Sequence, residues 1–162
     1  MNSEIPKNGR DQNPETRREP HWQIVENWII PSTTTSQKSA SSEFAELIKH
    51  VPNESDKIEL QWGFDEAVTN AMLHGNKYDP HKNVEININI SPESVTLTVR
   101  DEGEGFDPTK VPDPTSPERI LETSGRGIFM MRAYFQVEYS DEGRKVTLTR
   151  KLNQDKPKDE AK

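Results

Sequence analysis

The sequence predicts an α+β fold, a two-layer α/β sandwich with helices on one face of a mixed, mainly antiparallel sheet. Three observations predict it. Two stretches alternate apolar and polar residues with period two and fold back on themselves: VEININIS with SVTLTVR at 84–100, and VEYSDEGRKVTLTRKL at 137–152. Other segments repeat their apolar residues at helical spacing. The elements follow in the order β-α-α-β-β-loop-α-β-β, which sets a group of helices against one sheet instead of alternating helices with parallel strands.

WQIVENWII at 22–30 is rich in β-branched and aromatic residues and stops at Pro31, so it reads as a strand. STTTSQKSASS at 32–42 reads as a polar connection, and a short amphipathic helix follows from about Ser42 until Pro52 ends it. Asn53 then caps the strongest helical signal, with acidic residues in the first turns. Along it Leu60, Phe64, Ala67, Val68 and Ala71 share a core face, and Glu66, Asn70 and Lys77 share another; Gly75 and Asn76 close it. The 84–100 hairpin turns at Pro92-Glu93, and the last hairpin turns at Asp141-Glu142-Gly143. Between them SGRGIFMMRAYF at 124–135 reads as a glycine turn entering a helix. No internal repeat or heptad run is present.

Within the 162 residues, the polar, proline-bearing ends 1–20 and 152–162 bury too little apolar surface to offset chain entropy and are expected to be disordered tails around one domain at 21–151. The formal net charge of -7 argues against direct nucleic-acid or anionic-membrane binding. No cysteine is present, which excludes disulfides, thiolate–zinc sites and thiol catalysis. No run approaches the ~20 apolar residues of a membrane span, and no apolar signal core opens the chain, so a cytoplasmic location is expected. His21, His50, His74 and His81 lack metal-ligand spacing.

Three motifs carry chemistry, each with a plainer alternative. DEGEGFDP at 101–108 follows directly on a strand. A calcium loop needs oxygen ligands where Gly103 and Gly105 stand, so that reading fails. A plain turn suffices for the run taken alone. In the nucleotide reading, Asp101 accepts from an adenine amino group and rejects guanine, whose oxygen stands at that place. In EAVTNAMLHGN at 66–76, Glu66 and Asn70 stack at i and i+4; they are either a solvated helix face, or a general base beside a magnesium ligand. In TSGRGIF at 123–129, Gly125 and Gly127 open a helix whose free N–H groups suit phosphate oxygens, with Ser124 and Arg126 assisting; an N-cap and turn is the plainer account. Met130 and Met131 read as core residues, with Met130 the candidate for lining an adenine pocket. A proline-studded loop of about 18 residues before this helix is either functional or disordered.

In this fixed order the three motifs resemble the GHKL superfamily of ATP-binding domains, whose sandwich is the Bergerat fold. EAVTNAMLHGN, VRDEGEGFDP and SGRGIFMM, with the small size and leading strand, are most similar to the bacterial anti-sigma factor serine/threonine kinases. The resemblance covers 21–151 and implies the following roles. Glu66 is the catalytic base and Asn70 the magnesium ligand. Asp101 binds adenine, with Gly103, Gly105 and Phe106 shaping that wall. Ser124, Gly125, Arg126 and Gly127 form the end of an ATP lid and the phosphate turn. It further implies ATP or ADP with Mg as cofactors, a sigma factor as partner, an anti-sigma antagonist protein as phosphorylation substrate, and a homodimer, for which Trp22, Trp28 and the first helix are the candidate interface. One position departs from the pattern: Arg144 stands where many relatives have a threonine supporting the adenine carboxylate, and an arginine there either pairs with Asp101 or reaches outward. The alternative is a non-catalytic, nucleotide-regulated protein-binding module.

Overall fold

The computed structural model describes residues 21–110 and 126–153. The expected tail at 1–20, the central part of the proline-bearing loop at 111–125, and all but the first two residues of the expected tail at 152–162 lie outside the described residues. Five strands form one sheet in the order β1-β2-β3-β5-β4: β1 Ile24–Pro31, β2 Asn83–Ile90, β3 Ser94–Arg100, β4 Gln136–Ser140 and β5 Lys145–Lys151. All four ladders are antiparallel. The helices α1 Thr34–Leu47, α2 Glu54–Asn70 and α3 Arg126–Tyr134 complete the α+β sandwich.

Period-two alternation places every second residue of β2 in the core, and Val84, Ile86, Ile88 and Ile90 are all buried. Register then aligns Ile88 with Leu97, and Leu97 with Leu148, so one apolar face runs across three strands. The expected α2 stripe packs on it: Leu60, Phe64, Ala67, Val68 and Ala71 are buried. Phe64 stacks on Phe44 of α1 at 4.3 Å between ring centroids. Trp28 also turns inward and meets Phe64 edge-on, so the apolar side chains that β1 leaves exposed are Val25 and Ile29.

The first helix starts eight residues before the expected Ser42, at Thr34. The Ser/Thr-rich segment that reads as a connection supplies its own cap, since the Thr33 hydroxyl accepts from the Ser36 N–H. Tertiary contacts overrule its weak helix propensity. Ala40 and Phe44 are buried, Gln37 donates to Thr69, and Ser41 donates to Asp65 at 2.6 Å.

The folded chain also continues past 151. Leu152 is buried, and its N–H reaches the Glu93 carbonyl. The Asn153 N–H donates to Asp56, a fully buried carboxylate that also accepts two bonds from Arg150. Arg150 pairs with Glu59 too and donates to the Tyr134 carbonyl at the end of α3. This one ion cluster ties α2, α3 and β5 together.

Candidate functional site

α2 does not end cleanly at Asn70. It widens into a π-helical turn at Ala71–Gly75, in which the Asn76 N–H reaches back five residues to the Ala71 carbonyl at 2.8 Å. The chain then passes through two left-handed residues, Lys77 and Tyr78. The buried Asn76 side chain holds this corner. Its amide donates to Ser32 and to the Asn83 carbonyl, and its oxygen accepts from the Glu102 N–H. The corner is thereby fixed to the residue that follows β1, to β2 and to the loop after β3.

That tie brings Asp101 beside the π turn. A Cβ on Gly75 would lie 2.3 Å from the Asp101 Cγ, and a Cβ on Gly103 would lie 2.2 Å from the Gly75 carbonyl oxygen. Only glycine permits either approach. The Gly103 N–H donates to Asp101 Oδ1 at 2.8 Å and aims the carboxylate. Burial pushes the Asp101 carboxyl above its ordinary value, against the opposing pull of the Gly103 bond and the Arg144 charge. At the other end, α3 starts against α2: a Cβ on Gly127 would lie 1.8 Å from Glu66 Oε1.

Between these contacts lies a cavity of about 640 Å³. Glu66, Asn70, Asp101, Gly105, Phe106 and Gly127 all line it. Gly103 is not in its wall but lies behind Asp101, acting through its N–H. Met130 is exposed and outside the lining, while Met131 is buried and lines it. The reason is helical phase: with Gly127 set against Glu66, position 131 rather than 130 turns inward beside Ile128. Ser124 and Gly125 lie outside the described residues, as does the Arg126 side chain; the Arg126 backbone opens α3.

Arg144 lines the cavity, but its side chain pairs with neighbouring acids of the turn instead of with Asp101. Its Nη2 donates to Asp141 Oδ1 at 3.0 Å and to Glu142 Oε2 at 3.2 Å, and only its backbone carbonyl bonds Asp101, through the Asp101 N–H.

The cavity also has members that the motifs did not single out. Tyr139 of β4 lines it and meets Phe106 edge-on at 5.3 Å. Burial pushes the Tyr139 phenol up to about 12, so it stays a neutral donor at neutral pH. Its signal was present in VEYS, where strand alternation puts an aromatic residue on the inner face. Lys77, His74 and Lys110 add cationic or titratable groups at the wall. Lys77 shares a helix face with Glu66 and Asn70 in the sequence, which was its signal.

A volume of this size suits a nucleotide-sized ligand. The glycine contacts leave room where side chains would fill it, and one carboxylate stands half-buried at an end. Among the described residues no group of three or more His, Asp or Glu side chains is placed to hold a metal ion alone. Asn70 offers a single neutral amide oxygen, a donor suited to a magnesium ion that takes most of its remaining oxygens from phosphate and water.

The family model described as histidine kinase-like ATPase domain matches residues 30–150. The chain belongs to the histidine kinase-like ATPase family. Within this ATPase family it lies in the anti-sigma factor branch of the GHKL superfamily. It is 31% identical over 113 residues to the anti-sigma F factor of Oceanobacillus iheyensis, covering 65% of this chain and 76% of that protein. It is 32% identical over 110 residues to that of Clostridium perfringens, covering 63% and 77%. With that of Geobacillus stearothermophilus it shares 40% identity over 87 residues, covering 51% and 58%. Among the described residues no helix is long and apolar enough to cross a membrane.

Proposed function

We propose that this ATPase-family domain binds ATP with magnesium in the cavity and transfers the γ-phosphoryl group to a serine or threonine hydroxyl of a partner protein. The observation that carries this reading is the pairing of a glycine-cradled Asp101 at one end of the cavity with the Glu66–Asn70 pair on its α2 wall.

Asp101 accepts from the adenine amino group, and the Gly103 N–H holds the accepting carboxylate in place. Phe106 and Tyr139 supply an aromatic wall and Val99, Val146 and Met131 an apolar one. Magnesium held at Asn70 would offset charge on the phosphates. Glu66, fixed against α3 by Gly127, accepts the proton of the attacking hydroxyl; the bond from that oxygen to phosphorus forms as the bond to ADP breaks.

The relatives are named anti-sigma F factors. By that similarity we infer a sigma factor as the partner restrained, an antagonist protein as the phosphoacceptor, and a homodimer as the working form, in the cytoplasm. The test is transfer of labelled phosphate from ATP to candidate antagonist proteins of the same genome. Glu66→Gln is expected to keep ATP affinity and lose transfer by ~10²- to 10⁴-fold. A wild type that binds ATP, changes partner affinity and yields no phosphoprotein supports the nucleotide-regulated binding module instead.

A further inference from the structure

Both ends of the loop that carries Asp101 hang on one tight turn. At its start the Asp101 N–H donates to the Arg144 carbonyl at 2.9 Å, continuing the β3–β5 ladder past the Arg100–Lys145 pair. At its end the Phe106 N–H donates to the Glu142 carbonyl at 2.9 Å. The fit is close from both sides. A Cβ on Gly105 would lie 2.2 Å from the Glu142 carbonyl oxygen, and a Cβ on Gly143 would lie 2.2 Å from that of Phe106.

The turn that presents the Glu142 carbonyl and leads directly into Arg144 has an unfavourable backbone. Asp141, Glu142 and Gly143 follow one another with φ of 51°, 56° and 85°. Glycine accepts this region freely, aspartate with some ease, and glutamate poorly. Something must hold it, and the side chains show what does. Asp141 is gripped by two arginines, Arg100 Nε on Oδ2 at 2.9 Å and Arg144 Nη2 on Oδ1 at 3.0 Å. Arg144 also reaches Glu142. Arg100 stands at the end of β3, directly before Asp101, and Arg144 directly after the turn. The pairing therefore locks the end of one strand and the start of the next onto the residue that opens the left-handed run.

We propose that Asp141, clamped by Arg100 and Arg144, is a positioning residue for base recognition: it holds the 141–143 turn in the left-handed form that places the Glu142 carbonyl, and the Arg144 carbonyl directly after it, to set the Asp101–Phe106 loop. This rests on the reading of the cavity as an adenine-nucleotide site, and it gives Arg144 a role that differs from supporting the Asp101 carboxylate directly. Asp141 touches no ligand in this scheme. It acts through backbone geometry, and that is what separates it from a residue that contributes only charge or only global stability.

The experiment is calorimetric titration of the full chain with ATP and with GTP, for wild type, Asp141→Ala and Asp141→Gly, alongside thermal melts. Alanine loses both the clamp and the tolerance of positive φ. It is expected to weaken ATP by roughly tenfold and to narrow the ATP-over-GTP preference. Glycine loses the clamp and adopts the turn backbone without strain, and it is expected to recover most of the affinity and the preference. Alanine binding ATP like wild type overturns the proposal, with the nucleotide site intact. Glycine as impaired as alanine overturns it too, because the contribution is then charge. An affinity that falls only in step with melting temperature, with selectivity unchanged, reduces Asp141 to a structural residue and also overturns it. A folded wild type that binds neither nucleotide removes the site itself, and the positioning role with it.

Discussion

Gly127 and Glu66 are in such close apposition that the smallest side chain at 127 would overlap the carboxylate: its Cβ would lie 1.8 Å from Oε1. The start of α3 therefore acts as a backstop for the proposed base. Gly127→Ala must displace Glu66 or push α3 away. The expected result is an intact fold and a loss of phosphoryl transfer on the order of 10²-fold, since small misplacements of a reacting group are costly. Single-turnover transfer from labelled ATP measures it, and wild-type rates in the variant would refute the backstop.

Gly75 bears the same relation to Asp101, with the Cγ only 2.3 Å from an added Cβ. Gly75→Ala is expected to turn the carboxylate away from its Gly103 bond and weaken ATP by about tenfold or more. Because Glu66 lies on a different turn, transfer at saturating ATP should fall much less. An unchanged ATP dissociation constant would show that Asp101 does not read the base from this position.

The Asp56–Arg150 pair is not part of the cavity wall, and its expected effect is on stability. Asp56 is fully buried, and Arg150 is its cationic partner at 2.8 Å. Arg150→Met strands that carboxylate, and removing one partner of a buried pair costs ~3–5 kcal/mol. The bonds from Asn153 remain and place the expected loss toward the lower end. Urea unfolding measures it; a loss under about 1 kcal/mol would mean the pair behaves as a surface one.

Burial raises the Asp101 carboxyl above the ordinary 3.8. The folded state thus holds this proton more tightly than the unfolded state does. The contribution to stability is full below 3.8 and is lost as pH rises through the raised folded value. Asp101→Asn removes that loss while keeping an acceptor for the Gly103 N–H. The variant should melt higher than wild type at neutral pH, with the difference closing in acid. In wild type, ATP affinity should fall as pH drops through the raised value. A variant less stable than wild type at neutral pH would contradict the assignment.

Much of this was legible in the sequence, for physical reasons. Strict alternation in VEININIS and SVTLTVR left one register that buries the isoleucines and valines. Leu60, Phe64 and Val68 at helical spacing fixed the inner face of α2, and with it the opposite placement of Glu66 and Asn70. The start of α1 was hidden because Ser and Thr compete locally with helix, and its contacts to Thr69 and Asp65 come from a distant segment. Met130 and Met131 differ by one position, about 100° of helix, and tertiary packing sets that phase, through Gly127 on Glu66, Tyr134 on Trp62 and Phe135 on Gly63. Alternation in VEYS put Tyr139 on an inner face, but its place beside Phe106, and the Asp141 clamp, depend on β5 pairing with β3, a long-range pairing that local pattern does not encode.

Whether Asp101 anchors an adenine nucleotide is decided by calorimetric titration with ATP, with and without magnesium, for wild type and Asp101→Asn. Wild type should bind with magnesium dependence, and the folded variant should lose that binding. Equal binding by both proteins, or none by folded wild type, would contradict that role.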